Sequence, residues 1–97
     1  MTYSRMINEA PVVLVEFFAT WCPHCQKMMP IVAQVKELLG AGTPVVQLDI
    51  DQNQATASEN GVSGVPTFII YKNGQEVWRH SGEIDGNDLL AKVQSYQ

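Results

Sequence analysis

Residues 12–25 of the sequence, VVLVEFFATWCPHC, contain the pattern that decides the fold. The segment from Val12 to Ala19 is rich in β-branched and aromatic residues and has no polar alternation, which is typical of a central strand covered on both faces. After a short interruption, apolar residues recur at helical spacing from Cys22 to Leu39. A buried strand that leads directly into a long helix predicts an α/β fold with helices on both faces of a sheet.

The rest of the sequence predicts three further strands and three further helices. The strands are expected at residues 45–50, 67–71 and 75–81, and the helices at residues 2–8, 51–60 and 86–96. Asn73-Gly74, between the last two strands, is a strong signal for a β-hairpin. The predicted order, (α)βαβαββα, gives a mixed four-stranded sheet in which strand–helix–strand units form parallel pairs and the hairpin adds an antiparallel edge. We expect Asp85 to cap the last helix, and Met28 and Met29 to fill the core.

The composition restricts the classes of function. The chain has 97 residues, of which 45% are hydrophobic and 16% charged, so we expect a single folded domain over residues 1–97 rather than disorder. No apolar run approaches the roughly 20 residues that span a bilayer, which argues against a membrane partner. The net charge of −4 and six scattered Lys and Arg residues argue against nucleic acid. Residues 1–10 show no export signal, which favours the cytoplasm; an exported or periplasmic protein whose signal peptide was removed is the alternative.

Cys22 and Cys25 are spaced for redox chemistry. Cysteines at positions i and i+3 of a first helical turn can close a small disulfide ring. Cys22, at the helix start, meets unpaired backbone N–H groups and the positive end of the helix dipole, so it is the predicted attacking thiolate. Cys25 lies one turn further in and is the predicted resolving thiol. The alternative is half of a zinc or iron–sulfur site, for which only His24 and His80 remain as further ligands. We therefore expect neither a metal nor another cofactor.

The sequence resembles the thioredoxin family over residues 11–97. The resemblance is carried by residues 17–25 with Pro30, and by residues 48–51, 64–67 and 72–74 with Gly82, in the order and spacing of the family. It implies a thioredoxin-like fold and a thiol–disulfide oxidoreductase that acts on protein disulfides and dithiols. It also implies recycling by a thioredoxin reductase or another redox partner, and we expect a monomer.

Two departures from the family pattern are informative. Thioredoxins usually have Gly-Pro between the cysteines, whereas Pro23-His24 resembles the periplasmic thiol oxidases. The residues before Val12 leave no room for the first strand of thioredoxins, so the strand at residues 45–50 is expected at an edge of the sheet.

Glu16 is the one charged residue of its apolar strand, and burial there should raise its pKa. The family has an Asp at this position, beneath the inner cysteine, where it relays a proton; the resemblance implies that role for Glu16. The alternative is a strand register that turns Glu16 to solvent. Gln47 takes a position where the family often has Lys, and the loss of that cation should leave the pKa of Glu16 still higher.

Pro23 and His24 are expected to tune the redox equilibrium. A His24 imidazolium near Cys22 would stabilise the thiolate and make the disulfide more oxidising. The alternative for His24 is a solvent-exposed spacer.

Trp21, Val65, Pro66 and Gly82 are the expected substrate-binding residues. The resemblance of residues 64–67 to the family's cis-proline loop implies a cis bond before Pro66, which would leave the backbone of Val65 free to pair with an extended substrate. Trp21 is expected as an exposed contact residue, a cover beside the disulfide, or both.

The rival function is a non-catalytic thioredoxin-fold module that binds a partner through Trp21, Val65 and Gly82. The intact cysteine pair argues against it. Trp78 and His80 are expected to be structural or on the surface.

Overall fold

Four strands and four helices build the fold in the computed structural model, which describes residues 1–97. In chain order they are α1 (Tyr3–Ile7), β1 (Val12–Phe18), α2 (Pro23–Leu39), β2 (Val45–Asp49), α3 (Gln54–Glu59), β3 (Thr67–Lys72), β4 (Gln75–Ser81) and α4 (Gly86–Gln94). Every predicted element is present, and the differences lie at the element ends. The helix at residues 51–60 shows the largest difference, because its first predicted turn is taken by the loop after β2.

The four strands form one mixed sheet in the order β2-β1-β3-β4. β1 lies inside the sheet, parallel to β2 and antiparallel to β3, while β4 pairs antiparallel with β3 at the far edge. The mixed four-stranded sheet and the edge position of β2 are therefore confirmed.

One predicted pairing is wrong, because β2, α3 and β3 do not form a parallel unit. β3 lies beyond β1 and runs antiparallel to it. The six residues of α3 rise only about 9 Å, whereas the five residues of β2 extend about 17 Å. The helix is therefore too short to return the chain to the start of β2. The chain enters β3 from the end at which β2 stops.

Both faces of β1 are covered, which explains the lack of polar alternation in its sequence. Val12 and Leu14 pack on the face covered by α2 and α4. Val13, Val15 and Phe17 pack on the opposite face, with residues from α1 and α3. The helices on both faces are confirmed.

Helix α2 buries Met28, Val32 and Val35 against the sheet. The prediction that Met29 also fills the core is wrong, since Met29 is 63% exposed. Successive residues of a helix are rotated by about 100°, so Met29 points past the core toward the open edge beside β2. There it lines a cavity with Glu16 and Gln47.

The turns at both ends of β4 follow their sequence signals. Asn73 and Gly74 both have positive φ, 51° and 78°, and connect β3 to β4 as a tight hairpin. Asp85 caps α4 as predicted, because its carboxylate accepts hydrogen bonds from the N–H groups of Asn87 and Asp88. None of the helices has the length and hydrophobicity that crossing a bilayer requires.

Candidate active site

The two cysteines lie where β1 passes into α2. Cys22 is the N-cap of α2, and Pro23 follows in the first turn, where its missing N–H costs no hydrogen bond. The Cys22 N–H donates to the Ala19 carbonyl at 3.2 Å, and the Gln26 N–H donates to the Cys22 carbonyl at 3.0 Å. Both cysteines are free thiols, with only 5% of Cys22 and 2% of Cys25 exposed. These hydrogen bonds therefore fix the backbone of Cys22 at the start of the helix.

The surroundings of Cys22 favour its thiolate. Its pKa is lowered first by the N–H of Cys25, which donates to the sulfur, and then by the Cys25 thiol and the His24 N–H. Burial and the charge of Glu83 act in the opposite direction. The Cys22 thiol also lies 3.6 Å from the Val65 carbonyl oxygen, to which it donates. The N–H groups at the helix start thus act on this sulfur, as sequence analysis expects.

The surroundings of Cys25 have the opposite effect and favour its protonated thiol. Burial raises its pKa to about 11, and the negative charges of Cys22 and Glu16 add to that rise, while a backbone hydrogen bond from Ala19 opposes it. Cys25 is therefore a protonated thiol at neutral pH. It needs a base before it can act as a nucleophile.

Glu16 is buried on β1, with 3% of its surface exposed, and does not face solvent. Burial raises its pKa, and a hydrogen bond from Gln47 Nε2 to Glu16 Oε1, at 3.0 Å, partly offsets that rise. Glu16 and Cys25 both line a cavity of about 520 Å³, together with Met29 and Gln47. The structure therefore places a carboxyl group and the buried thiol at one cavity.

The ring of His24 is bound to a carboxylate that sequence analysis missed. His24 Nδ1 lies 2.5 Å from Glu83 Oε2, at an exposed position beside the cysteine turn. A positive charge on His24 thus has a negative charge next to it. The expected effect of the imidazolium on Cys22 has to be weighed against Glu83.

The expected substrate-binding residues meet around Cys22. The Val65–Pro66 bond is cis, as the resemblance implies. The Gly82 N–H donates to the Pro66 carbonyl at 2.8 Å, which joins the turn after β4 to this loop. Trp21 is 63% exposed beside the cysteines. The four residues therefore border one surface.

Three further residues support this surface. Trp21 Nε1 donates to Asp51 Oδ2 at 2.8 Å, which fixes the indole ring. His80 Nε2 donates to the Glu83 carbonyl at 3.0 Å, and its ring stacks on Trp78. The position of Asp51 could have been recognised from the sequence, because it follows β2 at the same end of the sheet at which Cys22 follows β1. For Glu83 the only indication in the sequence was its position next to Gly82.

No group of three or more His, Cys, Asp or Glu side chains is arranged to hold a metal ion.

Comparison with known proteins places these features in a family. A sequence model of the family described as Thioredoxin matches residues 1–95. The chain is 41% identical over 88 residues to the chloroplastic thioredoxin Y of Oryza sativa subsp. japonica, covering 91% of this chain and 52% of that protein. It is 36% identical over 95 residues to a thioredoxin-like protein of Synechocystis, covering 97% of this chain and 90% of that protein. The chain spans about half the length of the chloroplastic relatives it matches.

Solved structures agree with the sequence relatives. A mutant thioredoxin from Halobacterium salinarum NRC-1 has a TM-score of 0.87 and 35% identity, covering 96% of this chain and 80% of the other. The thioredoxin of Fasciola hepatica has a TM-score of 0.85 and 30% identity, covering 96% and 89%.

Proposed function

The chain belongs to the thioredoxin family, and from this membership and the geometry of its site we propose that it is a thiol–disulfide oxidoreductase. It exchanges a reversible Cys22–Cys25 disulfide with dithiols and disulfides of other proteins. Family membership supports the reaction class, and the cysteine turn supports the assignment of the two sulfurs.

The proposal depends most on the contrast between the two sulfurs. Hydrogen-bond donors at the start of α2 lower the pKa of Cys22, whereas burial raises the pKa of Cys25 to about 11. Of the two sulfurs, Cys22 is therefore the one whose thiolate form its surroundings favour. A mixed disulfide with Cys22 is the intermediate that this contrast favours.

Reduction of a substrate then has two steps. The Cys22 thiolate attacks one sulfur of the substrate disulfide, that S–S bond breaks, and the other substrate sulfur leaves as a thiolate that takes up a proton. Cys25, once deprotonated, attacks the Cys22 sulfur of the mixed disulfide. The Cys22–Cys25 disulfide forms and the second substrate thiol is released. Two electrons pass from the cysteine pair to the substrate, and the reverse sequence oxidises a substrate dithiol.

Glu16 is the proposed base for the second step. It lines the same cavity as Cys25, and its raised pKa makes its carboxylate a better proton acceptor than an ordinary glutamate. Gln47 holds one carboxylate oxygen at 3.0 Å. The proton of Cys25 thus has a proposed acceptor at the same cavity.

The surface around Cys22 suits an extended protein segment. We assign substrate binding to Trp21, Val65, Pro66 and Gly82, and redox tuning to Pro23 and His24. A segment that lies against Val65 would bring its disulfide to the Cys22 sulfur, which lies 3.6 Å from the Val65 carbonyl oxygen. The proposed partners are protein disulfides and dithiols, with a thioredoxin reductase or another redox protein for recycling.

The monomeric state, the single functional domain over residues 1–97 and the cytoplasmic location remain part of the proposal, with export as the alternative location. Size-exclusion chromatography with light scattering tests the first. Fractionation of the source cells, with detection by a specific antibody, tests the last.

Reduction of insulin by dithiothreitol tests the reaction itself. We expect the parent protein to accelerate insulin precipitation, and the Cys22→Ser/Cys25→Ser double variant to be inactive at the same concentration. A parent rate equal to that of the double variant would contradict the proposal. That result would favour the rival function, a thioredoxin-fold module that only binds a partner through Trp21, Val65 and Gly82.

A further inference from the structure

The His24–Glu83 pair is a second set of charges beside the redox site. The two side chains meet at 2.5 Å across 59 positions of sequence, from the first turn of α2 to the turn after β4. The proposed mechanism does not use Glu83. Its negative charge nevertheless raises the pKa of Cys22.

The backbone holds Glu83 in this position. The preceding residue, Gly82, donates its N–H to the Pro66 carbonyl at 2.8 Å. The carbonyl of Glu83 itself accepts a hydrogen bond from His80 Nε2 at 3.0 Å, and the His80 ring stacks on Trp78. The backbone of Glu83 is therefore fixed independently of His24, while the carboxylate itself pairs with His24.

The charges around Cys22 oppose one another. Glu83 raises the pKa of Cys22 and so disfavours its thiolate, while a protonated His24 would favour it. The pKa of Glu83 is lowered by its hydrogen bond with His24 and by the charge of Lys27, so Glu83 is ionised at neutral pH. Any positive charge on His24 is thus paired with the Glu83 carboxylate.

We propose that Glu83 is a charge-compensating residue of the redox site, which pairs with His24 and keeps the Cys22–Cys25 couple more reducing than His24 alone would make it. The inference rests on the proposed function, because it concerns the couple that the function uses. A stabilised thiolate stabilises the reduced protein and makes its disulfide more oxidising. An anion beside the thiolate has the opposite effect, and Glu83 supplies it.

Equilibration with glutathione measures this effect directly. In that reaction the protein disulfide and two glutathione thiols give the protein dithiol and one glutathione disulfide. Glu83→Gln should shift the equilibrium toward the protein dithiol by about threefold, the order of magnitude expected for one charge that acts in surroundings close to water. For comparison, a tenfold shift of this equilibrium would correspond to a change of about 30 mV in the reduction potential of this two-electron couple. His24→Gln should shift it the other way, and the double variant should return to within about twofold of the parent.

Two control variants separate a local charge effect from other causes. Glu37→Gln removes the same charge from an exposed position near the far end of α2 and should leave the equilibrium unchanged. Glu83→Asp keeps the charge and should stay near the parent. An unchanged equilibrium in Glu83→Gln, a shift toward the disulfide, or an equal shift in Glu37→Gln would overturn the inference.

Titration of the Cys22 thiolate by its ultraviolet absorbance is an independent readout. It should show a lower Cys22 pKa in Glu83→Gln than in the parent, and an unmoved pKa would also overturn the inference. This titration does not require exchange with a substrate. If the parent fails to exchange with glutathione, the proposed function fails, while the titration still decides whether Glu83 acts on Cys22.

Discussion

The carboxyl group of Glu16 lies in the same cavity as the Cys25 thiol, and burial raises the pKa of both groups. Each therefore holds its proton more tightly than it would in water. A Glu16 carboxylate would offer the thiol proton an acceptor within the same cavity. At the residue scale, we therefore predict that the resolving step depends on Glu16 as well as on the two cysteines.

Replacing Glu16 by Gln should slow resolution by Cys25 by about 100-fold, the low end of what a positioned base contributes. The variant keeps a side chain of nearly the same size that can still accept a hydrogen bond from Gln47. The measurement is the decay of a mixed disulfide between Cys22 and a chromogenic thiol, followed by stopped flow near neutral pH. Decay as fast as in the parent would mean that Glu16 has no chemical role, and Glu37→Gln is the matched control.

The two cysteines should differ sharply in alkylation. Cys25→Ser retains a Cys22 with a lowered pKa, and Cys22→Ser retains a buried Cys25 with a pKa of about 11. At pH 7 we expect iodoacetamide to modify Cys25→Ser at least about tenfold faster than Cys22→Ser, because the thiolate is the reacting form. Equal rates in the two variants, each checked for native circular dichroism, would contradict the assignment of Cys22 as the attacking sulfur and Cys25 as the resolving sulfur.

At the scale of elements, the β3–β4 hairpin fixes β4 and the turn after it that contains Gly82 and Glu83. The hairpin turn depends on Gly74, whose φ is +78°. A Cβ atom at this position would collide with the side chain of Asn8, which follows α1. The turn is therefore constrained both by its own backbone and by the N-terminal helix.

Substitution of Gly74 by Ala should lower the free energy of unfolding by about 1–2 kcal/mol, since an L-residue disfavours the left-handed region and the Cβ displaces Asn8. Gly42→Ala is the matched control, because Gly42 has no positive φ and no atom within 4 Å of the added Cβ. Urea unfolding of both variants measures the difference. A Gly74→Ala protein as stable as Gly42→Ala would show that the turn relaxes without cost.

At the scale of the whole molecule, burial of Glu16 links stability to pH. In the unfolded chain its carboxyl group titrates near its ordinary value, about 4.3, and in the folded protein its pKa is higher. The folded state thus binds the proton more tightly. The stabilisation that this tighter proton binding gives is fully present below the pKa of the unfolded chain. It is lost as the pH rises through the pKa of the folded protein.

Glu16→Gln cannot undergo this loss. We expect the variant to be more stable than the parent at pH 7, with the difference shrinking as the pH falls toward 4. Glu76 and Glu83 have lowered pKa values, but they are present in both proteins and cancel in the comparison. Urea unfolding at a series of pH values measures the difference, and a gap that does not change with pH would contradict the linkage.

Local patterns of sequence were sufficient for the elements and for the cysteine turn. The apolar run at residues 12–19, the helical spacing after Cys22 and Asn73-Gly74 each act over a few neighbouring residues, so each could be interpreted without knowledge of the fold. The cysteine turn is also contiguous, which is why the attacking and resolving roles could be predicted for Cys22 and Cys25 from the helix start alone.

Tertiary structure decided what depends on residues distant in sequence. The direction of β3 follows from the length of α3 and the packing of the sheet, and the exposure of Met29 follows from the edge position of β2. The pairing of His24 with Glu83, 59 positions away, requires α2 and the turn after β4 to meet at one end of the sheet. A charge effect on Cys22 depends on distance in space and not along the chain, so only the folded arrangement could show that the histidine between the cysteines has an anion beside it.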